Sequence, residues 1–203
     1  MNRNYIVCLP MHEFTPTLFV EEPKPMIPFD WKRELDRHDH RVVLSGQPVA
    51  IHCHHYNINL HKTLEDTLGL EGIRLIYKSA EEAIYYGIRE LLSQYNEIRT
   101  VKSKLEMAAI MYQNCGLGVI HPQGINERGG SIVSPSSHHV TGWLAKHGRR
   151  NTPGCHFSCG WIAGMVAAIH DKPVGHYQVT ETKCKTMRDA ECVFEIKENL
   201  NEH

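Results

Sequence analysis

The sequence lacks any long apolar run, and it lacks an excess of charge of either sign. No stretch approaches the roughly 20 consecutive apolar residues that a membrane-spanning helix needs. The 22 Lys and Arg residues nearly balance the 23 Asp and Glu residues, for a formal net charge of -1, whereas a nucleic-acid-binding surface usually shows as a basic excess. The first residues, MNRNYIVCLPMHEF, contain no apolar core of a secretory signal. We therefore expect a cytoplasmic protein with neither membrane nor nucleic acid as partner.

A disulfide framework is not expected either. The seven cysteines are an odd number, and thiols stay reduced in the cytosol. With 203 residues, 41% hydrophobic and 22% charged, the chain has the composition of a soluble globular domain with a sizeable core. What stands out is the histidine content, 15 residues, because histidine is the commonest metal ligand and titrates near neutral pH.

Residues 1–45 have the composition of an irregular arm. The segment EEPKPMIPFDW contains three prolines, which favour extended backbone over helix. Four apolar residues of this arm, Met26, Ile27, Phe29 and Trp31, would be exposed on a monomer. We therefore predict a homodimer in which a second subunit covers them. The ligand-binding domain is predicted to span residues 46–203.

Three helices are predicted in the first half of that domain. Leu60, Leu64 and Leu68 recur at helical spacing. Ser79 and Glu82 form a capping-box pattern, which predicts that the second helix begins there. The third helix lies within TVKSKLEMAAIMYQNCG and is predicted to end at Gly116.

Strands become frequent after this point. The segment GLGVIHPQGINERGGSIVSPSS has the pattern of two strands around a turn, and HHVTGWLAKHG that of a short helix or tight loop. A helix is predicted from Cys155 to Asp171, and two more strands around a turn at Arg188-Asp189 end the chain. This order predicts an α+β fold with a mostly antiparallel sheet packed with helices.

Three cysteines and a glutamate late in the chain could share one metal ion. Cys184 and Cys192 flank the last turn, and residues on either side of a turn in antiparallel strands can meet. Glu181 would lie on the opposite strand face from Cys184 unless a bulge or the strand end brings it round. Cys155 begins a helix, whose positive end would lower the thiol pKa. Such a set suits Zn²⁺, but the spacing alone equally allows buried cysteines that act as small hydrophobes.

From roughly Gly116 to Ile196 the chain resembles the 4-vinyl reductase domain, a small-molecule-binding module also found as the sensory domain of phenol-responsive activators. The matching pattern begins with C-x4-G-x3-G, formed by Cys155, Gly160 and Gly164. Pro173, E-T-K-C at 181–184 and Cys192-Val-Phe follow. The resemblance implies that a structural zinc staples the domain through Cys155, Glu181, Cys184 and Cys192. The segment VGHYQVTE is about three residues longer than the family's usual run from the proline to the glutamate.

Histidines cluster in AIHCHHYNINLH, which contains His52, His54, His55 and His61. Two histidines on one element with a third from elsewhere can hold a catalytic metal or a haem with an open position. His54, His55 and His61 are therefore candidate catalytic residues that would bind a second metal, such as iron, or a haem. The alternative is that they are ordinary polar residues of a solvated surface.

The resemblance also points to a pocket for a small hydrophobic or aromatic molecule. In the phenol sensors a histidine and a tryptophan before the zinc cysteine line this pocket, and the comparable stretch here contains His138, His139 and Trp143. Cys159 lies one helical turn after Cys155 and faces either the core or the pocket. The predicted function is a binding module, a sensor or accessory protein. The alternatives are a metal- or haem-dependent enzyme and, more distantly, a scaffold similar to vesicle-tethering subunits.

Overall fold

The structure is a computed structural model that describes Phe29 and residues 35–44 and 46–199. The described residues form five helices and seven strands, an α+β fold as the sequence predicts, but the first three strands were not predicted. The helices are α1 (His54–Leu68), α2 (Leu70–Gln94), α3 (Val101–Asn114), α4 (His138–His147) and α5 (His156–Ile169). The strands are β1 (Leu35–His38), β2 (Arg41–Leu44), β3 (Gln47–Val49), β4 (Gly118–Asn126), β5 (Gly129–Ser137), β6 (Tyr177–Lys183) and β7 (Cys192–Glu198).

The strands form two antiparallel sheets among the described residues. A small sheet has the order β1-β2-β3, and a four-stranded sheet has the order β4-β5-β7-β6. A single-turn 3-10 helix, Lys185–Met187, connects β6 to β7. The antiparallel sheet and its packing with helices are confirmed. None of the helices in the described ranges is long and apolar enough to cross a bilayer.

Helix α5 is the centre of the core. Every residue from Ser158 to Ile169 is buried, because α5 packs against α2 on one side and against β6 on the other. Gly160 and Gly164 lie where α2 approaches most closely, and a Cβ at either position would collide with the backbone carbonyl of Tyr77 or Glu81. The two glycines of the C-x4-G-x3-G pattern thus permit backbone contact between the two helices.

Helix α2 begins ten residues earlier than the capping-box pattern predicts, because its N-cap is Gly69 and not Ser79. Gly69, at a φ of 57°, separates it from α1, so Ser79 lies inside the helix and not at its N-cap. Ile76 and Ala80 are buried on either side of this serine, and burial of the apolar face outweighs the local capping preference. The predicted end of the third helix is confirmed, since Gly116 follows the C-cap Cys115 with a φ of 75°.

The prediction of an irregular arm over residues 1–45 is wrong for residues 35–44, which form the β1–β2 hairpin. Phe29 is buried and makes an edge-to-face contact with Tyr95 of the same chain, with ring centroids 5.6 Å apart. Its own subunit therefore covers this aromatic ring. Met26, Ile27 and Trp31 lie outside the described residues, and the homodimer stays a prediction.

Candidate functional site

Cys155, Glu181, Cys184 and Cys192 lie together and are all buried, with one ligand atom of each within 4.8 Å of the others. Cys155 is the N-cap residue of α5 and follows the Pro153-Gly154 break. Cys184 directly follows β6, and Cys192 begins β7. Two ends of a hairpin and the start of the central helix therefore meet at one point.

A bulge in β6 brings Glu181 to the same side as Cys184. Glu181 is opposite Phe194 in β7, and Lys183 is opposite Val193, so one extra residue is inserted between them. An inserted residue reverses the alternation of faces. Two residues three positions apart, which would lie on opposite faces of a regular strand, thus lie on the same side.

The spacing and donor set of this cluster fit a tetrahedral metal. The Cys155 and Cys192 sulfurs are 3.9 Å apart, and two sulfurs bound to one Zn²⁺ at 2.3 Å would lie about 3.8 Å apart. Glu181 Oε2 accepts hydrogen bonds from the backbone N–H groups of Gly154 and Cys155, at 3.0 and 2.9 Å. Its other oxygen, Oε1, is buried and has no hydrogen-bond partner among the described residues. A cation could pair with this atom.

The ionisation of these groups favours a positive charge between them. The Cys155 and Cys192 thiols hydrogen-bond to the Cys184 sulfur and lower the pKa of Cys184. Burial, followed by the nearby Cys184, raises the pKa of Glu181 to about 7. The hydrogen bond to Cys184 also raises the pKa of Cys155. The lowered Cys155 pKa that the helix N-terminus predicts is therefore wrong for the protein without a bound metal.

The predicted histidines assemble around the contact between α1 and α4. His61 Nδ1 lies 3.1 Å from His139 Nδ1, and both side chains are buried. The rings of His54 and His138 are 5.9 Å apart, and those of His54 and His55 are 5.3 Å apart. His52 stacks on Tyr56 at the start of α1. Among the described residues, the cysteine–glutamate cluster is the only group of three or more metal-binding side chains with ligand atoms this close.

A cavity of about 390 Å³ lies beside these histidines, between α1 and α2. His61, His138 and Phe157 line it on one side. The rest of its wall is formed mainly by aliphatic side chains of α1 and α2: Leu60, Leu64, Leu75, Ile76, Ala80 and Ile84. Burial lowers the pKa of His61 and of His138 to about 4, so both imidazoles are neutral at pH 7.

The other residues expected near the pocket lie elsewhere. His139 is buried behind His61, and Trp143 is buried beneath the guanidinium of Arg150, 4.2 Å from the ring centroid. Cys159 is buried at a separate surface groove, which Thr180 and Glu181 also line. Of the four predicted ligand-binding residues, His138 lines the α1–α2 cavity.

Sequence reasoning missed several residues that this region depends on. Arg150 forms an ion pair with Glu65, and Thr186 Oγ1 lies 3.0 Å from the Cys184 sulfur. Phe157 lines the cavity and lies next to His61, with ring centroids 6.1 Å apart. Arg150 and Thr186 lie outside the α-helices and strands, so no hydrophobic periodicity marks them. The position of Phe157 beside Cys155 and His156 was the one available signal.

No protein-family model matches the chain, and no curated protein matches it. Solved structures do match. The phenol-responsive sensory domain of the transcription activator PoxR with phenol has a TM-score of 0.72 at 19% identity, over 83% of this chain and 86% of that one. Trafficking protein particle complex subunit 3 from Naegleria fowleri, covalently bound to palmitic acid, has a TM-score of 0.50 at 13% identity, over 72% and 95%.

A vinyl-4-reductase family protein from Methanocaldococcus jannaschii gives a TM-score of 0.42 at 15% identity, over 71% of this chain and 92% of that one. At these identities the comparisons show the fold. The chain has the fold of the phenol-responsive sensory domain, and the resemblance predicted from the sequence is confirmed at that level.

Proposed function

We propose that the chain is a small-molecule-binding domain, acting as a sensor or accessory protein, whose ligand occupies the cavity between α1 and α2. The observation that carries this proposal is the cavity itself. Its volume of about 390 Å³ falls within the range of roughly 300–1,000 Å³ typical of small-molecule sites. The PoxR sensory domain, which has the same fold, contains phenol.

The lining of the cavity favours a neutral, largely apolar molecule that carries a hydroxyl group. Among the residues that the structure describes, no Asp, Glu, Lys or Arg lines it. Its polar groups are His52, Asn57, His61, Ser79 and His138. Neutral imidazoles donate one hydrogen bond and accept another, which matches a hydroxyl group. A carboxylate would find no cation to pair with and would lose hydration.

We propose zinc as the metal at Cys155, Glu181, Cys184 and Cys192. Soft thiolates select zinc over harder divalent cations, and four protein ligands leave no open position for a substrate. Bound there, zinc would supply a structural link between the start of α5 and the β6–β7 hairpin. The cavity and the metal site are connected through α5, because Cys155 is its N-cap residue and Phe157 lies in its first turn.

We also propose a homodimer. Several large apolar side chains on and near α1 and α2 are exposed, among them Ile51 at 70%, Leu70 at 85% and Tyr86 at 65%. A second subunit that covers such residues would remove them from water. Light scattering is expected to give twice the 23.2 kDa chain mass, and a monomer at micromolar concentration would contradict this proposal.

Calorimetric titration with phenol and with benzoate tests the ligand proposal. Phenol is expected to bind and benzoate is not. Ala80→Leu would fill part of the cavity and is expected to weaken phenol binding at least tenfold, whereas Ala109→Leu on α3, outside this cavity, is the matched control. If neither phenol nor any other small neutral aromatic alcohol binds, or if Ala80→Leu binds as well as wild type, the proposal is wrong.

A further inference from the structure

The spacing of His61 and His139 is that of two nitrogens sharing a metal ion. Imidazole nitrogens bind Zn²⁺ and similar divalent ions at about 2.0–2.1 Å, so two of them lie about 3.3 Å apart around a tetrahedral ion and about 2.9 Å apart at a right angle. The observed separation of the two Nδ1 atoms is 3.1 Å. These histidines come from α1 and α4, 78 positions apart in the chain, and meet behind the cavity.

A hydrogen bond between the two rings leaves too many neighbouring groups unsatisfied. His139 Nε2 and both ring nitrogens of His138 are buried and have no hydrogen-bond partner in the described part of the chain. A buried polar group in this condition is destabilising, because it has lost its hydrogen bonds to water without gaining others. A cation bound through the two Nδ1 atoms could also take the lone pair of one His138 nitrogen, whereas His139 Nε2 would then carry a proton and still need an acceptor such as a water molecule.

We propose that His61 and His139, with His138 as a third imidazole, form a second metal site that takes a divalent transition metal at the wall of the α1–α2 cavity. His138 already lines the cavity, and turning its ring breaks no hydrogen bond to a described residue. Three imidazoles leave at least one coordination position of a four-coordinate ion open.

The ligand set separates this site from the cysteine cluster. Imidazole suits iron, cobalt, nickel, copper and zinc, whereas thiolates select softer ions and zinc. Metal-binding imidazoles must be unprotonated, and burial already holds the pKa of His61 and His138 at about 4. An open-coordinated metal could polarise a hydroxyl or carbonyl oxygen of a molecule in the cavity. The site itself does not depend on the organic ligand proposed above.

Cobalt binding to the purified full-length chain, with its cysteine site filled, tests this inference. Co²⁺ is added in excess, unbound metal is removed by gel filtration, and bound cobalt is measured together with the visible spectrum. Wild type is expected to retain one cobalt per chain without the charge-transfer bands of a cobalt–thiolate bond. His61→Gln and His139→Gln are each expected to lower the cobalt affinity at least tenfold, and the exposed His121→Gln is the matched control.

Three results would overturn the inference. Wild type could retain no cobalt, folded His61→Gln could bind as much cobalt as wild type, or the spectrum of the retained cobalt could show cobalt–thiolate bands. His139 is only 3% exposed, and its variant could fail to fold. An anomalous difference map of cobalt-soaked wild-type crystals therefore provides a second measurement. A peak between the two Nδ1 atoms is expected, and a map with a peak at the cysteine cluster alone would contradict the proposal.

Discussion

The carboxylate of Glu65 on α1 accepts hydrogen bonds from both terminal nitrogens of Arg150, at 3.2 and 2.7 Å. The side chains are only 12% and 10% exposed. Arg150 also covers the ring of Trp143, and its backbone N–H donates to the carbonyl of Thr186 beside Cys184. This ion pair therefore connects α1, α4 and the β6–β7 hairpin.

Replacement of Arg150 is expected to destabilise the chain strongly. Arg150→Met leaves the Glu65 carboxylate largely buried without its partner, and loss of one member of a buried pair costs about 3–5 kcal/mol. The neighbouring Arg149 is exposed, so Arg149→Met is the matched control and should change the free energy of unfolding by less than about 0.5 kcal/mol. Urea denaturation measures both. Equal stabilities of the two variants would show that the ion pair contributes nothing.

Loss of a cysteine ligand is expected to unfold the region around α5. Structural zinc contributes on the order of 10 kcal/mol to the folding of small metal-binding peptides. Cys184→Ser should therefore be insoluble or lack fixed tertiary packing, and the metal of the cysteine cluster should be lost. Cys115 is exposed, so Cys115→Ser should keep both metal and fold. Elemental analysis and near-UV circular dichroism compare them, and a folded Cys184→Ser of unchanged melting temperature would exclude a structural metal.

Stability is expected to fall as the pH is lowered from about 6.5 to about 4. Burial lowers the pKa of His61 and His138 from 6.5 to about 4. Between these pH values the unfolded chain binds more protons than the folded one, so acid favours unfolding. The contribution of each histidine is up to about 3 kcal/mol. His61→Gln should therefore show a shallower loss than wild type over this range in chemical denaturation, while equal slopes would refute the assignment.

The two central glycines are expected to be intolerant of a side chain. Gly164→Ala would place a Cβ against the Glu81 backbone carbonyl and force α2 and α5 apart, at a cost of about 1–3 kcal/mol or more. Gly87 on α2 has open space at the Cβ position, so Gly87→Ala should stabilise the helix by about 0.5–1 kcal/mol. Melting temperatures that shift in the same direction for both variants would contradict this account of the α2–α5 contact.

Local pattern predicted the C-terminal half well. We could infer the helix from Cys155 and the strands around Arg188-Asp189, because helices and hairpins place neighbouring residues by fixed geometry. The same geometry indicated that a bulge or a strand end is needed near Glu181. The start of α2 could not, since Ser79 matches a capping signal that burial of Ile76 and Ala80 overrides. Whether Cys155 would have a lowered or raised pKa also depended on how close the other thiols lie.

The sequence by itself determined that Glu181, Cys184 and Cys192 lie near one another on one hairpin, because the chain distance between them is short. Only the tertiary structure decided that His61 meets His139, that Arg150 finds Glu65 and that a cavity opens between α1 and α2. The first two contacts join residues 78 and 85 positions apart. No periodicity of either partner encodes such a pairing, since it depends on how α1 and α2 dock against α4 and α5.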